Sequence, residues 1–596
     1  MEPTENARRL SALRAALEQH GLHGYVVPRS DEHMLEYVPA SSERLAWLSG
    51  FTGSAGLAVV TRTRAALFVD GRYTEQAAQQ TSPELWERQH LLTSPPARWL
   101  AEAVPAGERV GYDPRVHTPS SLEALRSALE ERQASLVPVD GNLVDALWHD
   151  RPALPCAPLE LYPERLAGES RESKRERMAA ELTRDGDDAL IVSAPDCLMW
   201  LLNVRGADVK NTPLALARGI LHADARARLF VDPAKVGAEV RRALEAGGVA
   251  IEPESSFADA LAGLSGLRVR VDPPSASEWI VERLKSAGAN VRAAADPCTL
   301  AKACKTPAEL AAIRAAHVRD GVALARFMCW FDAVAPGGES ELSVADKLAE
   351  LRAAGEHYRG PSFDTISAFG PSAALPHYRA TPEHARALGP DDVYLVDSGG
   401  QYLDGTTDIT RVLAIGTPSA EVRRRYTQVL KGHVALACAR FPAGTTGAQL
   451  DPFARQFLWR DGVDFDHGTG HGVGCFLSVH EGPHGISKRP SSVELRPGMV
   501  VSNEPGYYKP GAFGIRIENL LAVVEVDPQP AGAERKTLGF ETLSLAAYER
   551  RLIDTSLLTA EERAWVDGYH AQVRERLTPL LPADVAEHLA RATAPL

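Results

Sequence analysis

The tetrapeptide Leu67-Phe68-Val69-Asp70 returns unchanged as Leu229-Phe230-Val231-Asp232, the last of three patterns that recur in one order. Tyr25-Val26-Val27 corresponds to Leu190-Ile191-Val192, and Ala46-Trp47-Leu48 with Gly53 corresponds to Met199-Trp200-Leu201 with Gly206. A chain that repeats its apolar segments in register is expected to build one supersecondary unit twice. In each copy short β-type runs alternate with helical stretches, such as 122–131 and 236–246, which is the pattern of an α/β layer structure. The proline-rich stretch Arg151-Pro-Ala-Leu-Pro-Cys-Ala-Pro158 reads as the linker between the copies, because proline stiffens the chain and interrupts regular structure.

The chain has 596 residues, too many for one core at about 100–200 residues per domain. The expected division is 1–160 and 161–298 for the two related α/β domains, then 299–596 for a third. Hydrophobic residues at 44% and charged residues at 24% describe a packed globular chain rather than a disordered or fibrous one. The net charge of −13 and the absence of a Lys/Arg block argue against a nucleic-acid partner. The polar start MEPTENARRL lacks the apolar centre of a signal peptide, and no run reaches the roughly 18 apolar residues of a membrane span, so the expectation is a cytoplasmic protein without membrane attachment. Seven scattered cysteines without a CxxC pair are expected to be buried free thiols rather than disulfides or zinc ligands.

The third unit opens on a helix start: Thr306 can cap, Pro307 takes the first helical position and Glu309 completes a capping box, with the helix running through Phe327. Strand-like runs follow at 393–396, 409–415, 500–501 and 515–524, with a helix around 420–438. A second capping box, Thr559 with Glu562, starts an amphipathic helix whose Val566, Tyr569, Val573 and Leu577 share a face, expected to pack on the core.

The chemistry is concentrated in this unit. Val393-Tyr-Leu-Val-Asp397 and Thr406-Thr-Asp408-Ile-Thr-Arg-Val are separated by turn residues and read as a hairpin. With the turn centred between Tyr402 and Leu403, Asp397 and Asp408 face each other, and like charges so placed repel unless a cation lies between them. The competing reading makes both acids surface turn residues. In His467-Gly-Thr-Gly-His471-Gly-Val-Gly474, glycine at every second position disfavours a helix. An extended chain there puts His467, Thr469, His471 and Val473 on one face and leaves the other bare for close backbone approach. A flexible glycine loop remains the alternative; a phosphate-cradling loop lacks the Lys-Ser/Thr of a P-loop. Glu504 closes the run Met499-Val-Val-Ser-Asn, and Glu518 lies inside the apolar 515–524. Burying such carboxylates costs several kcal/mol unless they are paired or ligate a metal. Arg516 is the obvious salt-bridge partner for Glu518, but cannot also satisfy Asp397, Asp408 and Glu504. Four acids and a histidine from separate segments suit two divalent ions.

At these residues the chain resembles the Xaa-Pro aminopeptidases (aminopeptidase P), a branch of the pita-bread metallopeptidases that also include prolidase, methionine aminopeptidase and creatinase. LVDSGGQYLDGTTDITR, HGTGHGVGCFLSVHEGP, NEPGYY and GIRIEN follow the family's motifs in the family's order, and the likeness spans nearly the whole chain. It is closest to the long, three-domain cytosolic type. The resemblance implies a pita-bread catalytic domain behind two creatinase-type amino-terminal domains, and removal of the first residue from peptides with proline second. It implies that Asp397 chelates one metal, Asp408 and Glu518 bridge two, and His471 with Glu504 completes the other. It assigns His377, His467 and His480 to substrate handling and Arg516 to a place behind the ligands. The ions it favours are Mn²⁺, the activated water lies between them, and Glu504 is the expected proton shuttle, with His377 or His480 steadying the oxyanion. A homodimer through the third domain is the family's expectation. The rivals are prolidase, which the duplicated amino-terminal half argues against, a creatinase-like enzyme, which would not need the complete ligand set, and a non-catalytic pita-bread binding protein, which would not need the ligands at all.

Overall fold

The computed structural model describes residues 4–334 and 337–596, so the first three residues of the polar start lie outside it. The chain divides into two compact units: one runs to Tyr162 and takes in Ser170–Lys210 and Leu214–Cys298, and the other takes in Pro163–Glu169, Asn211–Pro213 and Thr299–Leu596.

The first unit contains the duplication in three dimensions. Gly24–Pro28, Leu57–Thr61, Ala65–Val69, Glu87–His90, Arg109–Tyr112 and Ser135–Pro138 form one six-stranded sheet. Ala189–Val192, Arg218–His222, Ala227–Phe230, Val249–Glu252, Arg268–Val271 and Asn290–Ala293 form the other. In both, the strand order is fourth, third, second, first, fifth, sixth. In both, the first strand pairs antiparallel with the second and parallel with the fifth. The repeated tetrapeptide lies at the third strand of each copy, where Leu67, Phe68, Leu229 and Phe230 are fully buried. The tryptophan motifs occupy the helices that follow each first strand, Arg44–Ser49 and Pro195–Leu202. Both helices end in a left-handed residue, Gly50 at φ 84° and Asn203 at φ 49°, whose N–H donates to a carbonyl of the last turn as the chain turns away. The proline-rich linker has no regular structure.

In the second unit Thr306 and Glu309 form the capping box, and the helix continues past Phe327 to Asp332 because Met328 and Phe331 still bury against the core. Ile366–Phe369, Asp392–Ser398 and Ile409–Ile415 make an antiparallel three-stranded sheet. A second sheet runs Phe441–Pro442, Thr537–Thr542, Asn519–Glu525, Val500–Asn503, Gly470–Gly472, Glu481–Ile486, antiparallel throughout. Helices Ala420–Ala437 and Gly447–Trp459 pack on each other and on these strands, and a large apolar cluster joins Val393, Val412, Val429 and Ile515. Helix Ala560–Leu577 starts at the Thr559–Glu562 capping box and buries Val566, Tyr569, Val573 and Leu577 in the same core.

Three expectations are corrected. The hairpin turn lies one residue later, at Leu403-Asp404, so Asp397 pairs with Thr410 rather than with Asp408. The apolar run 515–524 is not one strand. Phe513–Arg516 pairs with Gly506–Lys509 and Asn519–Glu525 pairs with Val500–Asn503, leaving Ile517 and Glu518 at the break. All seven cysteines are free, but only Cys197, Cys298 and Cys475 are buried; Cys156 and Cys438 are exposed.

Candidate metal centre

Asp397 is the penultimate residue of the long strand Asp392–Ser398, and Asp408 immediately precedes its partner Ile409–Ile415. Because the turn is offset, Asp408 lies diagonal to Asp397 across the ladder, two residues from the directly opposed Thr410. Both remain on one side, since the side-chain period of a strand is two. His471 lies in Gly470–Gly472, and Glu504 follows Val500–Asn503, the adjacent strand. The glycines of this segment are dictated by packing. A Cβ on Gly470 would stand 1.9 Å from Ser502 O, and one on Gly472 would stand 2.2 Å from Glu481 O. Bare backbone on that side lets the strands close up and turns His471 toward the acids.

His471 Nε2 lies 3.4 Å from Asp408 Oδ2 and 3.4 Å from Glu504 Oε1. Its Nδ1 donates to Gly472 O at 2.9 Å, so the nitrogen facing the acids is the one free to bind a cation when the ring is neutral. Glu518 Oε2 accepts from Thr410 Oγ1 at 2.7 Å. Ligand atoms of Asp408, His471 and Glu518 all lie within 4.8 Å of one another. Asp397 is reached through Arg516, whose Nη2 donates to Asp397 Oδ2 at 2.6 Å, whose Nη1 donates to Tyr508 OH at 2.6 Å and whose Nε donates to Thr410 Oγ1 at 3.3 Å. The salt bridge considered for Glu518 thus goes to Asp397 instead, because the break at Ile517 carries Glu518 off the arginine's strand.

The substrate-handling histidines fall in different places. His467 Nε2 accepts from Tyr508 OH at 2.8 Å and its Nδ1 is 3.9 Å from Glu504 Oε2, so His467 and His471 flank Glu504. His480 stacks edge-on against His471 with ring centroids 4.3 Å apart. His377 lies half-buried in the turn after the short helix Gly370–Ala374. Sequence reasoning gave no role to Thr410, Ser502 or Tyr508. Ser502 Oγ donates to Glu504 Oε1 at 3.0 Å and accepts from His471 N at 2.9 Å. Tyr508 was visible in NEPGYY, and Thr410 in the segment after Asp408.

The electrostatics call for added positive charge. Burial, helped by the charges of Asp408, Asp397 and Glu504, holds the Glu518 carboxyl well above the ordinary carboxylate range despite the Thr410 hydrogen bond. Burial also pushes Asp408 up to about 6, with Asp397 adding and the His471 hydrogen bond opposing. Burial pulls the His471 imidazole down, yet its hydrogen bond to Asp408 and the charges of Glu504 and Asp408 outweigh burial and bring it to about 9. Asp397 Oδ1 and Asp408 Oδ1 are buried with no hydrogen-bond partner among the described residues. Unpartnered buried carboxylate oxygens, one aimed imidazole nitrogen and an excess of acids over cations are the donor set of divalent-metal sites. The residues present fit such ions.

Comparison with known proteins agrees with this geometry. Residues 311–525 match Metallopeptidase family M24 and residues 536–596 match the C-terminal region of peptidase M24. Residues 9–147 and 150–309 each match the Creatinase/Prolidase N-terminal domain. A probable Xaa-Pro aminopeptidase P of Colletotrichum graminicola is 39% identical over 100% of both chains. The chain belongs to the Xaa-Pro aminopeptidase family. Another member, from Botryotinia fuckeliana, is 40% identical and covers 98% of this chain and 92% of its own. The X-prolyl aminopeptidase of Caenorhabditis elegans, described as a cytosolic enzyme with a di-nuclear active site, superposes with a TM-score of 0.95 at 33% identity over 100% of both chains. The Xaa-Pro aminopeptidase fold therefore extends across the duplicated amino-terminal half as well as the catalytic unit.

Proposed function

We propose that this chain is a metal-dependent aminopeptidase that hydrolyses the first peptide bond of peptides carrying proline second. The observation that carries the reading is the convergence of buried Asp408 and Glu518 and half-buried Glu504 on His471, with Asp397 Oδ1 and Asp408 Oδ1 buried and lacking a hydrogen-bond partner among the described residues. Full-length kinship with Xaa-Pro aminopeptidases supports it. Asp397, Asp408, His471, Glu504 and Glu518 would hold two divalent ions, for which Mn²⁺ is the proposed identity. When bound, such ions supply Lewis acidity and lower the pKa of water.

The chain's own residues do the rest. Glu504 has one oxygen tethered by Ser502 and the other turned toward His467, so it can take a proton from the attacking water and pass it to the departing proline nitrogen. Nδ1 of His471 is committed to Gly472 O, which keeps its ring from turning. His480, against His471, or His377 is the proposed donor to the developing oxyanion. His467, anchored by Tyr508, is assigned to the substrate, and Arg516 steadies Asp397 from behind. A dedicated site is needed because proline fixes φ, lacks an N–H and restricts the residue before it.

The proposed domain division is 1–160, 161–298 and 299–596, with a homodimer formed through the last and peptides rather than nucleic acid as partners. A cytosolic location follows the nematode relative, and no helix among the described residues is long and apolar enough to cross a membrane. The deciding experiment strips the metal with a chelator, restores Mn²⁺ and compares release of the first residue from Xaa-Pro-Yaa, Xaa-Pro and Xaa-Ala-Yaa. The proline tripeptide should be cut best and Asp408→Ala should abolish cutting. Strong activity in the stripped protein, or on the dipeptide alone, overturns the reading.

A further inference from the structure

Arg411 is 1% exposed, and every partner of its guanidinium among the described residues is neutral. Burying an unpaired cation costs several kcal/mol unless its hydrogen bonds are made in full. Here all three nitrogens are engaged. Nη1 donates to Thr410 O at 2.9 Å and to Glu518 O at 2.7 Å. Nη2 donates to Asn519 Oδ1 and Ala546 O at 2.8 Å and to Tyr569 OH at 3.1 Å, and Nε donates to Ala547 O at 3.0 Å. Its Cζ lies over the Tyr548 ring, 4.7 Å from the centroid.

Two of these acceptors belong to the metal centre. Glu518 lies at the break between Phe513–Arg516 and Asn519–Glu525, where it belongs to neither strand. Its backbone is held by other means: its N–H reaches Thr410 O at 3.2 Å, and its carbonyl accepts from Arg411. Thr410, whose own carbonyl Arg411 also holds, donates to the Glu518 carboxylate. The remaining donors of Arg411 reach Asn519, next to Glu518, and Ala546, Ala547 and Tyr569 of the carboxy-terminal segment.

Resting on the reading of Glu518 as a metal ligand, we propose that Arg411 is a positioning residue. It replaces the missing sheet ladder at Glu518 and sets the aim of that carboxylate against the carboxy-terminal segment. A planar fork of five donors suits this task, whereas the three rotating donors of an ammonium on a flexible stem do not.

The test uses the full chain and Mn²⁺ alone as probe. In Arg411→Lys, calorimetric titration should show Mn²⁺ affinity weakened about 10–100-fold, with kcat on Xaa-Pro-Yaa falling by a similar factor and KM nearly unchanged. Guanidinium ion added to Arg411→Ala should recover part of both losses. A cooperatively melting Arg411→Lys with wild-type Mn²⁺ affinity and kcat overturns the proposal. If the lysine variant does not fold, Tyr569→Phe decides: losing that hydroxyl should weaken Mn²⁺ binding about threefold or more, the worth of one hydrogen bond, and wild-type affinity overturns the proposal. Wild-type protein that binds Mn²⁺ without cutting the peptide sinks the peptidase reading and leaves Arg411 to be judged on affinity.

Discussion

Arg516 gives its guanidinium to Asp397, at 2.6 Å, and not to Glu518 two residues along its own chain. Among the described residues His471 and His467 also lie within ion-pair distance of one or more of the four acids, but Arg516 is the partner of Asp397. Breaking a buried pair from one side leaves the other charge uncompensated, at a cost of about 3–5 kcal/mol. Arg516→Leu should therefore melt well below the wild type when metal-free, and Mn²⁺ should raise its melting temperature more than it raises the wild type's, since the ions supply charge that the variant lacks. Equal melting curves with and without Mn²⁺ would refute the pairing's importance.

The second prediction concerns Gly470. A methyl group there would stand 1.9 Å from Ser502 O, on the residue whose hydroxyl binds both Glu504 and the His471 N–H. Gly470→Ala should force the two strands apart and misplace both side chains, and a displacement near 1 Å in such a site can cost about 100-fold in rate. Gly468→Ala is the control: its nearest neighbour is 3.6 Å away, so activity should stay near the wild type. Steady-state kinetics on both variants separate a close-packing requirement from a general need for glycine.

The duplication could be read from the sequence because buried strands must stay apolar, and Leu67-Phe68 and Leu229-Phe230 occupy equivalent central strands. The acids of the centre were legible for the same energetic reason: Asp397, Asp408 and Glu518 sit in segments too apolar to bury charge without compensation. The exact register was not legible. The turn at Leu403-Asp404 depends on Gly405 fitting against Ile313 and Ala316 of the helix Pro307–Asp332, a tertiary contact with no local signal. The break at Glu518 was hidden because Ile515–Val524 reads as one predominantly apolar, strand-like run, and only the exchange of partner strands reveals it. Thr410 and Arg411 were concealed within a strand whose chemistry faces two directions at once.

The helix Ala560–Leu577 is part of the core rather than a surface reserved for a partner, since Val566, Val573 and Leu577 are fully buried within the chain. Leu577 closes against Gly321, where a Cβ would stand 3.1 Å from its Cδ2. Leu577→Ala should cost about 2–5 kcal/mol in urea unfolding followed by a probe in the catalytic unit. Sedimentation should show the same oligomeric state as the wild type. Loss of a subunit contact with undiminished stability would mean that the helix face serves association instead.

Asp296, in the first compact unit, offers a test of stability at a residue that is no part of the metal centre. Burial, reinforced by the charges of Asp272 and Asp196, outweighs its bonds from Cys298 and raises its pKa from 3.8 to about 7, and its Oδ2 has no hydrogen-bond partner among the described residues. The folded chain therefore binds this proton more tightly than the unfolded chain does. The resulting stabilisation is full below about pH 3.8 and is lost as pH rises through about 7, so this group makes the protein less stable across that window. Asp296→Asn removes the titration while keeping an oxygen to accept from Cys298 N. The variant should melt higher than the wild type at pH 8, with the difference shrinking toward pH 5. A difference that stays constant over this range, or that grows as the pH falls, would show that Asp296 is not a buried acid held in its protonated form.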